Sequence, residues 1–244
     1  MIRVAAVGDV HFAADVTGSL RPQLDRVHEH ADVLLLAGDL TRVGLPEEAK
    51  ALADELAGVR IPTVAVLGNH DYHADCEEEV TNVLASAGVR VLEGDSIELD
   101  VAGGERLGVA GVKGFGVGFP GASASDFGEP EMKSFVHTAR ESADQLRGAL
   151  DSLETDQRVA LLHYAPVEDT LLGERLEIWP FLGSYLLAEA IDAAGADLVV
   201  HGHAHGGTEK GMTPGGVHVR NVAQAVIRSA YRVYCLADRS VRAC

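Results

Sequence analysis

Apolar runs alternate with amphipathic stretches along the first third of the chain. Three short, continuous apolar runs are typical of buried parallel strands, and they lie at Ile2–Val7, Val33–Ala37 and Pro62–Leu67. Stretches with helical spacing follow each run, over residues 19–30, 46–56 and 76–87. Pro46 followed by two glutamates is a typical helix start, because proline and acidic side chains suit the first turn. This alternation predicts an α/β layered fold with at least one partly parallel sheet.

The pattern changes in the middle of the chain. Short strands joined by turns are predicted at Val89–Leu92, Ser96–Val101 and Arg106–Ala110, in an order more typical of a meander than of crossovers. A glycine-rich stretch without periodicity follows over residues 111–130. A long loop inside a compact domain is usually functional or disordered. Two hypotheses stay open for it: a mobile flap whose aromatic rings stack on a base or an apolar leaving group, or a surface loop whose glycines serve backbone geometry.

The alternation returns in the second half. Helices are predicted over residues 137–153 and 184–194, and strands over residues 159–163, 198–201, 217–222 and 233–237. The sequence contains no internal repeat, low-complexity tract or linker that would mark a boundary. We therefore expect residues 1–244 to form a single domain.

Composition and cysteine usage narrow the class of protein. The chain has 244 residues, of which 47% are hydrophobic and 23% charged, as in ordinary globular proteins. Cys76, Cys235 and Cys244 are far apart and form no CxxC pair, so we expect neither a disulfide framework nor a cysteine zinc site. The first strand begins at Ile2, which leaves no room for a signal peptide, and no apolar run approaches the roughly 18 residues that span a bilayer. These features favour a soluble, cytoplasmic protein.

The formal net charge of −17 bears on the partners. Such a field repels nucleic acid and anionic membrane surfaces at long range. A phosphorylated small molecule remains compatible with it, because bound metal ions reverse the sign of the charge locally. We therefore expect a phosphorylated small-molecule substrate, and the charge disfavours nucleic acid and membrane as partners.

Five scattered segments carry side chains that bind divalent metals. They are Gly8–His11, Gly38–Asp39, Gly68–Asp71, Leu162–Tyr164 and Gly202–His205. Several of them follow apolar runs, so their side chains would emerge at strand ends. Oxygen and nitrogen ligands without a thiolate favour manganese, iron, zinc or cobalt over calcium. The seven candidate ligands give four contacts to each of two ions if one carboxylate bridges them.

The five segments resemble, in order and spacing, the blocks of the calcineurin-like metallophosphoesterases, which read D-x-H, G-D, G-N-H-D/E, H and G-H-x-H. The resemblance runs from Gly8 to His205 and implies a two-sheet αββα sandwich. It also implies two metal ions. The ligands of the first would be Asp9, His11, Asp39 and His205. The ligands of the second would be Asp39, Asn69, His163 and His203.

The same resemblance implies a mechanism. A hydroxide that bridges the two metals would attack phosphorus in line, and His70 would assist the leaving group as an acid or a hydrogen-bond donor. In the phosphoprotein phosphatase branch the second block reads G-D-x-x-D-R-G, but Arg42 and Val43 occupy its second Asp and its Arg positions here. This departure disfavours phosphoprotein hydrolysis. The Gly-Asp-Leu-Thr form looks more like the phosphodiesterase branches, and we expect a phosphodiesterase rather than a phosphomonoesterase.

Other interpretations stay open at this point. The same site could belong to a nuclease or a nucleotide pyrophosphohydrolase, or the chain could be a non-catalytic scaffold. Three neighbouring residues are assigned supporting roles: His201 as a packed strand histidine, Asp71 as an organiser of loop backbone, and Tyr164 as a core aromatic residue.

Overall fold

The computed structural model describes residues 1–101, 103–237 and 240–243. The strands are β1 (Ile2–Val7), β2 (Val33–Ala37), β3 (Thr63–Val66), β4 (Val89–Val91), β5 (Asp95–Asp100), β6 (Arg106–Val112), β7 (Gly118–Phe119), β8 (Ala122–Ser123), β9 (Gln157–Leu162), β10 (Leu198–His201), β11 (Lys210–Met212), β12 (His218–Asn221), β13 (Arg232–Ala237) and β14 (Ser240–Ala243). The helices are α1 (Arg21–Leu24), α2 (Val27–His30), α3 (Pro46–Leu56), α4 (Glu77–Ser86), α5 (Pro130–Asp151), α6 (Trp179–Leu182), α7 (Tyr185–Ala194) and α8 (Gln224–Ile227).

Two six-stranded sheets form the centre of the fold. The first has the order β14-β13-β1-β2-β3-β4, and the second has the order β11-β12-β10-β9-β6-β5. Strands β1 to β4 are parallel in the first sheet, and β6, β9, β10 and β12 are parallel in the second. The antiparallel strands β13, β14, β11 and β5 extend the sheets at their edges. The parallel strands of each sheet therefore end along one edge.

Strand β9 shows how the layers pack. Val159 and Leu161 belong to the core cluster that they share with β1, β2 and β3 of the first sheet. Ala160 and Leu162 belong to a second cluster with residues of α5 and α7. Because successive side chains of a strand point to opposite faces, one face of the second sheet meets the first sheet and the other is covered by helices. Helices α3 and α4 pack together on the side of the first sheet. The predicted αββα sandwich is confirmed.

Several local predictions were wrong. Strand β4 joins the first sheet beside β3, while β5 and β6 pair in the second sheet, so the chain changes sheets where a meander was expected. The predicted helix over residues 19–30 is divided into α1 and α2, which bury Leu24 and Val27 on either side of a turn. Helix α5 begins at Pro130, seven residues before the predicted start. The prediction missed its first turns because they are exposed and lack the apolar face that periodicity detects. Edge strand β11 was missed for the same reason.

The cysteines correct a further expectation. Cys76 is a free thiol, but Cys235 in β13 is disulfide-bonded. The expected absence of cysteine pairing was therefore wrong at Cys235, and cysteine spacing no longer supports a reducing compartment. Cys244 lies outside the described residues. Within the part of the chain that the structure describes, no helix has the length and apolarity to cross a bilayer. A cytoplasmic location and a single domain stay predictions.

Candidate metal centre

The carboxyl ends of five parallel strands meet at one edge of the sandwich. Asp9 and His11 follow β1, Asp39 follows β2, and Asn69 follows β3 at the start of a short 3-10 turn. From the second sheet, His163 follows β9, and His203 and His205 follow β10. The structure therefore brings all seven predicted ligand residues together, with His70 beside them. They converge because the parallel strands of both sheets point toward this edge.

The backbone at these strand ends is strained. Asp9, His11, Asp39 and His203 adopt left-handed conformations, with φ of 56°, 41°, 49° and 70°. They are four of the six non-glycine residues with positive φ in the described chain. Such conformations cost about 1–3 kcal/mol each and persist where the surrounding structure enforces them, which is most often at functional sites. Aspartate and histidine tolerate this conformation better than branched residues, and the sharp turn points their side chains into the cleft.

Glycines before the ligand residues allow the chains to approach closely. A Cβ on Gly38 would lie 2.5 Å from Nδ1 of His163, and one on Gly68 would collide with the carboxylate of Asp39. Gly38 also has a φ of +78°, which favours glycine. The small residues of the Gly-Asp and Gly-Asn-His-Asp segments are therefore required by space and not only by the turn.

The first group of candidate ligands consists of Asp9, His11, Asp39 and His205. Their ligand atoms all lie within 4.8 Å of one another. Nε2 of His205 is 2.9 Å from Oδ1 of Asp9 and 3.3 Å from Nε2 of His11. At most one proton fits between two facing imidazole nitrogens at this distance, so a cation would satisfy both lone pairs better. We call this group the outer position.

The second group consists of Asp39, His163 and His203, whose ligand atoms also lie within 4.8 Å of one another. Nε2 of His163 is 3.3 Å from Oδ1 of Asp39 and 3.0 Å from the side-chain oxygen of Asn69. Asp39 belongs to both groups, as expected of a bridging carboxylate. We call the second group, with Asn69, the inner position.

Backbone carbonyls fix which nitrogen of each histidine is available. Nδ1 of His163 donates to the carbonyl of Ala37 at 2.9 Å, which leaves its Nε2 as the ligand atom. Nε2 of His203 donates to the carbonyl of Phe181 at 3.2 Å, which leaves its Nδ1. Because a carbonyl oxygen only accepts, these assignments follow from the contacts. Hydrogen bonds of this kind orient metal-binding histidines and raise their basicity.

The charges of the site suit cations. Burial raises the pKa of Asp9 to about 6, and the nearby carboxylate of Asp39 acts in the same direction. Burial lowers the pKa of both His163 and His203 to about 3, so both are neutral at neutral pH. Within the described residues, the carboxylates of Asp9 and Asp39 pair only with histidines and with no lysine or arginine. Buried carboxylates that face imidazoles and no lysine or arginine fit divalent metals that favour oxygen and nitrogen ligands.

Asp71 holds the loops that carry Asp39 and Asn69. It is completely buried and accepts hydrogen bonds from the backbone N–H groups of Leu40, Thr41 and Gly68 and from the hydroxyl of Thr41. This is the predicted role of a loop organiser. His201 is likewise packed in β10, where burial lowers its pKa to about 4 and its Nε2 contacts the hydroxyl of Thr170 at 2.9 Å.

The glycine-rich stretch lies beside the inner position. It contains the short β7–β8 hairpin, and Phe119 within it is buried against Trp179 with 6.5 Å between ring centroids. Phe127 is 87% exposed. The stretch is therefore not a structureless loop, and the flap hypothesis stays a hypothesis. Tyr164 is buried, as predicted, but its ring lies 4.4 Å from that of His203.

Sequence reasoning missed the carbonyls that orient the histidines. Besides those of Ala37 and Phe181, the carbonyl of Arg42 lies 2.7 Å from Nδ1 of His70. Every residue has a carbonyl, so residue type carries no signal for these contacts. His73, just beyond the Gly-Asn-His-Asp segment, has an exposed side chain.

The two facing α/β layers, with a histidine and aspartate cluster where their strands end, define an α/β sandwich with a candidate metal centre. The profile of the calcineurin-like phosphoesterases matches residues 2–207. The chain therefore belongs to the calcineurin-like phosphoesterase family, and this membership implies a hydrolase that acts on phosphate esters. The family generally binds two divalent metals, and the cluster could hold them.

Solved structures are similar in fold. The protein TT1561 of Thermus thermophilus is 20% identical, with a TM-score of 0.63 over 99% of this chain and 97% of that one. A putative 5'-nucleotidase from Staphylococcus aureus is 19% identical, with a TM-score of 0.60 over 100% of this chain and 53% of that one. GAP50, described as the anchor in the inner membrane complex of Plasmodium, is 11% identical, with a TM-score of 0.60 over 96% and 80%. No curated protein matches the chain significantly.

Proposed function

We propose that the protein is a dinuclear metal-dependent phosphoesterase that prefers phosphodiesters of small or medium size. The observation that supports this most directly is the sharing of Asp39 between two groups of candidate ligands. A single buried carboxylate between two clusters of imidazoles is the arrangement that a pair of adjacent cations needs. The strained backbone at Asp9, Asp39 and His203 supports the same proposal, because such strain is most often retained where function requires it.

We assign the outer position to one metal and the inner position to the other. Asp9, His11, Asp39 and His205 would hold the first, and Asp39, Asn69, His163 and His203 would hold the second. When bound, two divalent cations lower the pKa of water and neutralise charge on a phosphoryl group. The carbonyl partners of His163 and His203 keep the ligand nitrogens facing the cleft, and Asp71 keeps Asp39 in register with Asn69.

His70 is proposed as the residue that assists the leaving group. Its Nδ1 donates to the carbonyl of Arg42, so its Nε2 faces the cleft, 4.0 Å from Oδ2 of Asp39. The side chain is 43% exposed, which leaves room for a substrate against the ring. With Nε2 protonated, His70 would donate a hydrogen bond or a proton to the departing oxygen.

The preference for diesters over phosphoproteins is supported by the second block. Arg42 does not face the cleft with its guanidinium, which instead makes a two-pronged ion pair with Asp15 at 2.8 and 3.0 Å. Val43, at the position of the phosphate-binding arginine, has no charge. No guanidinium from this block is therefore free to grip a phosphoserine or phosphothreonine.

A metal and substrate screen tests the proposal. The purified protein, loaded with manganese, iron, zinc or cobalt, is assayed on bis-p-nitrophenyl phosphate, p-nitrophenyl phosphate and cyclic nucleotides. We expect two equivalents of metal, metal-dependent turnover and a higher kcat/KM for the diester. Absence of turnover with every metal and substrate would contradict the proposal, and absence of bound metal as well would favour a scaffold.

A further inference from the structure

Lys113 is anchored directly against a candidate ligand residue. It follows β6, and its carbonyl accepts hydrogen bonds from the backbone N–H groups of His163 and Tyr164, both at 3.0 Å. Its own N–H donates to the carboxylate of Glu93 at 3.3 Å. The backbone of Lys113 is therefore fixed relative to the inner position, and so is the base of its side chain.

Two aromatic rings hold the ammonium group of Lys113. Its Nζ lies 4.1 Å from the ring centroid of Tyr72 and 5.9 Å from that of Phe115. Tyr72 follows the Gly-Asn-His-Asp segment of the first sheet, while Lys113 and Phe115 come from the second. A cation over an aromatic face is attracted by the ring, and the stem of the lysine covers apolar surface. The charge is thus held between segments that follow strands of the two sheets.

This ammonium has no anionic partner of its own. Among the residues that the structure describes, Nζ of Lys113 makes neither an ion pair nor a hydrogen bond. Burial lowers the pKa of Lys113, while Glu93, Glu77 and Asp39 act on that pKa through space in the opposite direction and make no ion pair with Nζ. The other cation near the site, Arg42, is engaged with Asp15. Lys113 therefore keeps its donors available to a ligand.

The rest of the site lacks such a group. The second block supplies no arginine for phosphate, and the chain as a whole carries a net charge of −17. A phosphoester approaching this edge meets the carboxylates of Asp9 and Asp39 and a cluster of histidines. A fixed, unpaired ammonium beside the inner position is the side chain best suited to an anionic oxygen.

We propose that Lys113 binds an anionic oxygen of the phosphoester substrate and sets its affinity for the site. This inference rests on the proposed function for the identity of the substrate, but the lysine would also bind inorganic phosphate. Because the contact is made equally by the bound substrate and by the transition state, its loss raises KM and leaves kcat nearly unchanged.

The test uses two neutral variants, Lys113→Met and Lys113→Gln, with Lys113→Arg as the charge-retaining variant. Lys50→Met is the matched control, because Lys50 is an exposed lysine on α3. The KM for bis-p-nitrophenyl phosphate is measured on metal-loaded protein, and the Kd of inorganic phosphate is measured by calorimetry. Metal content and Tm are recorded for every variant.

We expect both neutral variants to raise the KM and the phosphate Kd roughly tenfold, as the loss of a charge-assisted contact does. Lys113→Arg should recover most of the loss, and Lys50→Met should match the wild type. Unchanged KM and Kd in both neutral variants would overturn the inference. Loss of metal or of a cooperative Tm in both would also overturn it, because the lysine would then be a structural counter-charge.

The phosphate titration separates this inference from the proposed function. If the wild type cleaves no phosphoester yet binds phosphate about tenfold more tightly than Lys113→Met, the proposed function fails and the lysine site stands. If the wild type turns over substrate and the neutral variants bind phosphate as tightly as the wild type, the proposed function stands and the lysine site fails.

Discussion

The outer and inner positions of the candidate metal centre differ in exposure. At the outer position the side chains of His205 and His11 are 46% and 24% exposed. At the inner position the side chain of His163 is fully buried. The outer position is therefore open to solvent through its histidines, while the inner one combines the buried His163 with the partly buried His203 and Asn69.

The two positions also differ in charge. Asp9 and Asp39 both serve the outer position, whereas the inner one has only the shared Asp39 together with the amide of Asn69 and two neutral histidines. The histidines of the inner position are oriented by carbonyls, but His205 of the outer position is held by the carboxylate of Asp9, which raises the pKa of that histidine. The histidines of the inner position are thus fixed by hydrogen bonds to the backbone, whereas His205 of the outer position is fixed by a contact with a carboxylate. Among the described residues, Asp39 is the candidate ligand that both groups share.

The largest effect is expected from removing that connection. Asp39→Ala should lose both metals and lower kcat/KM by more than about 100-fold, the upper limit for loss of a supporting contact. Asp9→Ala is the matched variant, because it removes a carboxylate from the outer position alone and should retain one metal. Metal analysis and turnover of bis-p-nitrophenyl phosphate measure both effects. Full activity in Asp39→Ala would show that the two positions are not coupled through it.

His70 lies beside both positions without belonging to either. His70→Ala should retain two metals and lower kcat by about 10²- to 10⁴-fold, the usual contribution of an acid or base. The loss should be larger for an alkyl leaving group than for p-nitrophenolate, which departs without a proton. Equal losses on both leaving groups would assign His70 to substrate positioning instead.

Metal exchange should separate the exposed position from the buried one. We expect dialysis against a chelator to remove metal in two phases, with the outer position emptying first because solvent reaches His205 and His11 directly. His205→Ala should abolish the fast phase and keep one equivalent. His163→Ala should lose the slow phase. A single phase in the wild type would show that exposure does not control release.

The contrast also explains what the sequence could predict. Asp9, Asp39 and the other candidate ligands could be predicted because metal binding needs particular side chains, and these follow apolar runs that the sequence shows directly. The αββα layers followed from the same runs, such as Val33–Ala37. The carbonyls of Ala37 and Phe181 could not be found, because they depend on distant chain segments meeting and not on residue type. Edge strand β11 and the first turns of α5 escaped for a related reason, since exposed elements carry no apolar period.

The smallest expected effect is on the pH dependence of the free energy of unfolding. In the metal-free protein, burial holds the pKa of His163 and His203 at about 3 and that of His201 at about 4, below the 6.5 of free histidine. Below pH 6.5 the unfolded chain therefore binds protons that the folded chain does not. Each buried histidine lowers the free energy of unfolding by about 1.4 kcal/mol per pH unit as the pH falls from 6.5 toward 4.

Asp9 acts in the opposite direction. Its pKa of about 6 lies above the 3.8 of a free aspartate, so the folded chain takes up a proton first and gains stability as the pH falls from 6 toward 4. Three histidines outweigh one aspartate, and the net stability should fall with acidification. His201→Gln should flatten the slope of the metal-free protein and Asp9→Asn should steepen it, as measured by denaturant unfolding between pH 6.5 and 4.5. A slope that neither variant changes would mean that burial does not shift the pKa of His201 or of Asp9 in the folded chain.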